Sequence, residues 1–423
     1  MCVILCAMYC AAVFAQGDEQ PTLVVHAGTL LAVPGESPES DQSIIISGNR
    51  IVAIEDGFVS PGQAELLDLS GQFVMPGLMD MHVHLTDELS PSSRNDALYL
   101  TTSMGALRGA HYARKTLLAG FTTVRDLGAN PEAIYALRSA VAQGLVAGPR
   151  IFAAGSALSA TGGHGDVDGY KSELLDLWTP GTICDGADDC RRATRYAIKH
   201  GADWIKITAT GGVLSDTATG TDQQMTDAEL QTIVSTAHGL GVKVAAHAHG
   251  TNGINAALEA GVDSVDHGTF LDRDSIKLFK EKDAYLIPTL SPGAKVPKNM
   301  EGNPFFTDAI KAKANAASQA SASNFRSAYE AGVKIAFGTD SAVTPHGENA
   351  DEFVLMHDAG MTAEDALYAA TIAAADLLGQ SDELGTLEPG KLADLIALPG
   401  SPLDDISVMR TVTTVVKDGN VVH

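Results

Sequence analysis

Residues 242–267 decide the fold: Val242-Lys243-Val244-Ala245-Ala246-His247, a helical pattern at 253–260, then Gly261 and Val262-Asp263-Ser264-Val265-Asp266-His267. A run of β-formers, a helix and a second run of β-formers in so short a stretch read as a βαβ unit, and repeated βαβ units build a parallel sheet. Each strand of this unit ends in a histidine.

The alternation extends in both directions. Strand candidates lie at 73–80, 122–126, 151–154, 204–208, 243–247, 264–267, 285–289 and 334–339, separated by helical patterns at 107–119, 131–143, 189–200, 227–240, 253–260, 274–282 and 306–331. Glycines at the end of a helical pattern (Ala119-Gly120, His200-Gly201, Leu240-Gly241, Ala260-Gly261, Ala331-Gly332) precede several of the strands, as expected where glycine stops a helix. Eight βα units predict an α/β fold closed into a (β/α)8 TIM barrel.

The flanks read differently. Short strands at 23–25, 29–32, 43–47 and 50–55, with a Gly48-Asn49 hairpin turn, are matched at the other end by strands at 393–398 and 412–417 and a turn at Asp418-Gly419-Asn420. The two ends are expected to pair into one small β-sandwich. The expected boundaries are 1–15 for a signal peptide, 16–74 for the first part of the sandwich, 75–381 for the barrel and 382–423 for the second part.

A chain of 423 residues can bury a large core, and its net charge of −24 excludes a basic phosphate-binding surface, hence nucleic acid. Residues 3–14 form an almost unbroken apolar run without Lys or Arg, ending in Val13-Phe14-Ala15-Gln16. Small residues before Gln16 fit cleavage after Ala15, and the run is too short to span a bilayer. An exported protein, periplasmic or secreted and free of membrane once the leader is removed, is the expectation. Three of the five cysteines fall in the leader; the other two, Cys184 and Cys190, bracket a polar loop and are expected to form a disulfide in an oxidising compartment.

The chemistry lies at the strand ends, where a parallel barrel assembles its active site. His82 and His84 are two apart in a strand, so they share a face and can grip one ion. Lys206 lies inside the apolar run Trp204-Ile205-Lys206-Ile207, where burial lowers its pKa. A free amine there can capture CO2, and the carbamate is a carboxylate able to bridge two metal ions. His247 and His267 supply further ligands, and Asp340 follows the last strand in Gly338-Thr339-Asp340-Ser341. Imidazoles and carboxylates suit two divalent ions, zinc foremost. Such ions polarise a carbonyl and activate a shared water. Asp340, beside that water, is the expected proton acceptor and donor.

The set His82, His84, Lys206, His247, His267 and Asp340 resembles the amidohydrolase superfamily in its carboxylated-lysine binuclear branch. The resemblance runs from about Leu23 to the end. It includes Val74-Met75-Pro76-Gly77-Leu78-Met79-Asp80, Gly120-Phe121-Thr122-Thr123-Val124-Arg125-Asp126-Leu127-Gly128 and Gly385-Thr386-Leu387-Glu388-Pro389-Gly390-Lys391-Leu392-Ala393-Asp394-Leu395. More narrowly the chain resembles the imidazolonepropionase-like members, which include Xaa-Pro dipeptidases and hydrolases of the ochratoxin A amide. The resemblance implies N6-carboxylysine at Lys206, a homo-oligomer such as an octamer, and a small-molecule substrate with a free carboxylate. It places His164, in Thr161-Gly162-Gly163-His164-Gly165, on that carboxylate, with His249 and His346 lining the pocket. Deaminase-type relatives carry a glutamate two residues after the fifth strand's histidine; His249 stands there instead, which favours amide hydrolysis. The alternatives are a cyclic-amide hydrolase of the imidazolonepropionase or hydantoinase kind and a non-enzymatic solute-binding barrel.

Overall fold

The structure, a computed structural model, describes residues 21–216 and 220–423; the expected signal peptide lies outside them. Strands β1 (Leu23–Leu30), β2 (Glu39–Ser47), β3 (Arg50–Asp56) and β4 (Glu65–Pro76) lead the chain. The Gly48-Asn49 turn pairs Ser47 with Arg50, as the sequence predicts. These strands join β13 (Leu395–Leu398), β14 (Thr414–Lys417) and β15 (Asn420–Val421) in one seven-stranded sheet of order β15-β14-β13-β4-β1-β2-β3. Both ends of the chain therefore build one unit, whose strands belong to a single hydrogen-bonded sheet. The sheet curls: Ile51 N–H donates to Lys391 O at 3.0 Å and Ala393 N–H to Asn49 O at 2.9 Å, bringing β3 towards the segment that leads into β13. The 23–25 and 29–32 runs form one strand kinked by a bulge after Ala27, where a Cβ on Gly28 would lie 2.2 Å from Ser70 O. Leu23, Val25, Ile44, Ile46, Val74, Leu395 and Val416 fill the core of this unit.

Between these ends come β5 (Leu78–Val83), β6 (Phe121–Asp126), β7 (Arg150–Ala153), β8 (Trp204–Thr208), β9 (Lys243–Ala248), β10 (Ser264–His267), β11 (Tyr285–Ile287) and β12 (Lys334–Ile335). They form parallel sheets of three and five strands, joined at both seams by backbone bonds. Leu158 N–H reaches Lys206 O at 2.8 Å on one side, and Met81 N–H reaches Phe337 O at 2.8 Å on the other. The ring so closed is the expected barrel. The longer helices cover it by burying one face: the Asp227–His238 helix buries Leu230, Ile233, Val234 and Ala237 and opens with a Thr226/Glu229 capping box.

Three readings change. The run 73–80 is two strands, because β4 ends in the terminal sheet at Pro76 and β5 starts after Gly77, where a Cβ would meet the Thr122 hydroxyl at 2.3 Å. The runs 285–289 and 334–339 hold regular strand only at Tyr285–Ile287 and Lys334–Ile335. Their ends leave the ladder and turn into the site. Short helices Ser93–Tyr99, Ser172–Trp178 and Leu290–Lys295, which the sequence pattern does not show, sit in the connections that follow strands β5, β7 and β11. Among the described residues, no helix is long and apolar enough to cross a membrane.

Candidate metal centre

Strand alternation sends His82 and His84 inward from the end of β5, and the seam bond from Asp340 N–H to His82 O at 2.8 Å brings the last strand's aspartate beside them. His84 Nε2 lies 3.3 Å from His82 Nε2 and 3.2 Å from Asp340 Oδ1, and His82 Nε2 lies 3.4 Å from the same oxygen. A second group, His247, His249 and His267, gathers its ligand atoms within 4.8 Å of one another at the ends of β9 and β10. The two groups abut, with the His82 and His267 rings 5.1 Å apart. His267 (φ +72°), Thr289 (φ +44°) and Asp340 (φ +57°) hold left-handed backbone at these strand ends, a strained conformation that aims their side chains inward.

The outer nitrogens are engaged. His84 Nδ1 donates to Gly128 O at 2.7 Å, while His249 Nδ1 and His267 Nδ1 each contact a threonine hydroxyl, Thr269 and Thr289, at 2.7 Å. Such partners fix a ring and leave Nε2 to face a ligand. His247 Nε2 is buried without a hydrogen-bond partner, a state that costs free energy unless a ligand fills it. Burial and the nearby imidazoles of His164, His249 and His267 hold His247 well below its ordinary pKa, and burial does the same to His267 and takes His82 to about 4. All three are neutral at pH 7, the form a cation requires. His84 departs from them: burial opposes its protonation, but Asp340 outweighs burial and holds it up at about 9. Three ligand atoms packed this closely need a positive charge among them, and a divalent ion supplies it better than one proton. The donor set fits metal.

Lys206 lines the same cavity, and its buried amine is held below the usual lysine range by desolvation. It pairs with Asp266, a fully buried carboxylate that also meets Arg125 at 3.4 Å and stands 3.6 Å from His82 Nδ1. Sequence reasoning missed Asp266. The signal was present: Lys206 and Arg125 both lie inside apolar strands, and two buried cations need a buried carboxylate.

The cavity, of about 510 Å³, has a polar floor of these groups and an apolar wall of Leu127, Val213, Leu214, Pro292, Val296 and Val343. His164 lines it, its ring 4.2 Å from that of His247, and Ser215 holds its Nδ1 at 2.6 Å. A Cβ on Gly212 would lie 2.2 Å from the His164 ring, so only glycine lets this strap pass. Lys313 pins the strap by donating to Gly212 O at 2.9 Å and Ser215 O at 2.7 Å. His249, expected to line the pocket, does so, from a buried place within the inner group. His346 is not brought to the cavity: its Nε2 donates to Asp87 O at 2.8 Å, its Nδ1 faces Ser341 Oγ at 3.2 Å, and its ring stacks on Tyr112. Cys184 and Cys190 are joined, with Cα atoms 4.9 Å apart, at the start of the Ala187–Lys199 helix.

A closed parallel barrel with histidines, a lysine and an aspartate converging at its strand ends is the frame of a metal-dependent hydrolase. The amidohydrolase family matches residues 73–422, and the chain belongs to that family. Aspergillus niger ochratoxinase is 32% identical over 96% of this chain and 88% of its own length, and its crystal structure superposes with a TM-score of 0.83. The crystal structure of a Xaa-Pro dipeptidase with bound methionine in its active site is 42% identical, with a TM-score of 0.90, covering 94% of this chain and 99% of that one. A prolidase complexed with N-methylphosphonate-L-proline is 32% identical, with a TM-score of 0.86, over 95% of this chain and 99% of that one. The protein is a hydrolase acting on amide bonds.

Proposed function

We propose that the protein is a binuclear amidohydrolase that cleaves the amide of dipeptides or N-acyl amino acids and releases a free amino acid. The observation that carries this reading is the convergence of two ligand groups on one cavity whose outer wall is apolar. The likeness to a dipeptidase and an ochratoxinase, spread over almost the whole chain, points the same way. His82, His84 and Asp340 would hold one ion, His247 and His267 the other, and Lys206, as a carbamate, would bridge them. Divalent ions, zinc foremost, supply Lewis-acid polarisation of the carbonyl and a nucleophilic water at neutral pH.

The chain's own residues do the rest. Asp340, kept ionised by its histidine neighbours, accepts a proton from the attacking water and delivers it to the departing nitrogen. His164 and the Val213–Leu214 strap form the wall against which the released amino acid is placed. The enzyme is exported, in keeping with the Cys184–Cys190 pair. The test is a library of dipeptides, N-acyl amino acids and ochratoxin A offered to metal-loaded protein. Free amino acid is the expected product; a ring-opened acid from a hydantoin or imidazolone, with no amino acid released from the library, would overturn the reading.

A further inference from the structure

We propose that Asp87 recognises an ammonium group on the acyl side of the substrate, so that the site takes dipeptides with a free amino terminus in preference to N-acyl amino acids. This rests on the reading of function above and divides its two substrate classes. Of the residues lining the catalytic cavity, Asp87, Lys206 and Asp340 carry lysine, arginine or carboxylate charge. Lys206 is paired with Asp266, and Asp340 lies against His82 and His84. Asp87 is exposed, and its carboxylate accepts one hydrogen bond, from the Thr86 hydroxyl at 3.2 Å; among the described residues no cation forms an ion pair with it, and Arg108, which is paired with Asp96, acts on it only through space.

Its position gives that charge a use. A second cavity of about 490 Å³ adjoins the first, and the two share His84, Asp87, Gly128, Asn130 and Val343. The other carboxylates of the second cavity have cations: Asp96 has Arg108 at 2.8 Å and Glu88 has Lys115 at 3.7 Å. Asp87 is the carboxylate at the junction that is left to a ligand. Its backbone is held from both sides, by its own N–H on His84 O at 3.3 Å and by His346 Nε2 on its carbonyl at 2.8 Å. His346 is thus a positioning residue, and its burial against Tyr112 has a purpose. With the leaving amino acid on the His164 side, the acyl group extends past His84 towards Asp87. A dipeptide carries an ammonium on that side; an acetyl or aroyl group carries none.

The experiment compares Ala-Leu with propionyl-Leu, which differ only in the ammonium, on metal-loaded wild type and Asp87→Asn. The wild type should prefer Ala-Leu in kcat/KM by roughly two- to fivefold, the worth of one ion pair to a solvent-exposed carboxylate. The variant, with metal content unchanged, should bring that ratio close to one. Turnover of both compounds with an equal fall in the variant, or no preference in the wild type, would overturn the role of Asp87 alone. Failure to cleave either compound would overturn the reading of function and the proposal with it.

Discussion

The two ends of the barrel are built on opposite terms. At the N-terminal ends of the strands, polar groups are paired: Arg150 with Asp394 and Asp418 of the terminal sheet, Lys243 with Leu377 O, and Tyr285 with Asp376. At the C-terminal ends, His267, Thr289 and Asp340 hold left-handed backbone, and His82 Nδ1 and His247 Nε2 are buried without hydrogen bonds. One end satisfies its groups within the chain and stabilises the fold. The other leaves them for a ligand and stores strain, as functional sites do.

Substitutions at the two ends should therefore fail in different ways. The largest effect is expected at the open end. Asp340→Asn keeps the shape and tolerates the left-handed backbone but removes the base, so kcat should fall by roughly two to four orders of magnitude. Metal content should fall far less, and thermal unfolding should move little. Near-normal kcat would make Asp340 a structural cap and break the contrast. At the closed end, Arg150→Met takes the cation from Asp394, which is 4% exposed and keeps only the Asp418 N–H at 2.7 Å. Loss of a buried pair's partner costs about 3 kcal/mol, to be read in denaturant unfolding, while kcat/KM of the surviving fold stays within about threefold. A smaller cost, about 2 kcal/mol, is expected for Cys184→Ser, since a crosslink across a short loop removes little unfolded-state entropy; free alkylation of both thiols in native protein purified without reductant would contradict the pairing itself. The gentlest probe is pH. His84 is protonated below about 9 by virtue of Asp340, and a metal ligand must be neutral. Metal affinity should therefore weaken by about tenfold per unit as pH falls below 9, with one proton released per ion taken up there. A flat affinity between pH 7 and 9 would remove His84 from the ligand set.

The barrel was legible in the sequence because its signals are local: runs of β-formers, helical periods and glycine stops. The placement of candidate ligands at successive strand ends was legible for the same reason: His247 and His267 stand at the ends of their strands, and Asp340 follows the last. The split of 73–80 was not legible, since one apolar run serves two sheets and only the contact of Gly77 with Thr122 divides it. Asp266 was hidden because its role depends on Lys206 and Arg125, which are remote in the chain. Loop histidines carry no periodicity, so nothing in the sequence could tell that His164 faces the cavity while His346 turns away to hold Asp87. The apolar wall is assembled from Leu127, Val213, Val296 and Val343 on four separate connections, a closeness that only the fold creates.

Elemental analysis of purified protein, set against amino-acid release, tests the central claim most directly. Wild type prepared with bicarbonate should carry about two divalent ions per chain and lose activity on chelation, and Lys206→Ala should lose most of both. Full amino-acid release from metal-free protein, or a Lys206→Ala variant that keeps both ions and its activity, would contradict the account.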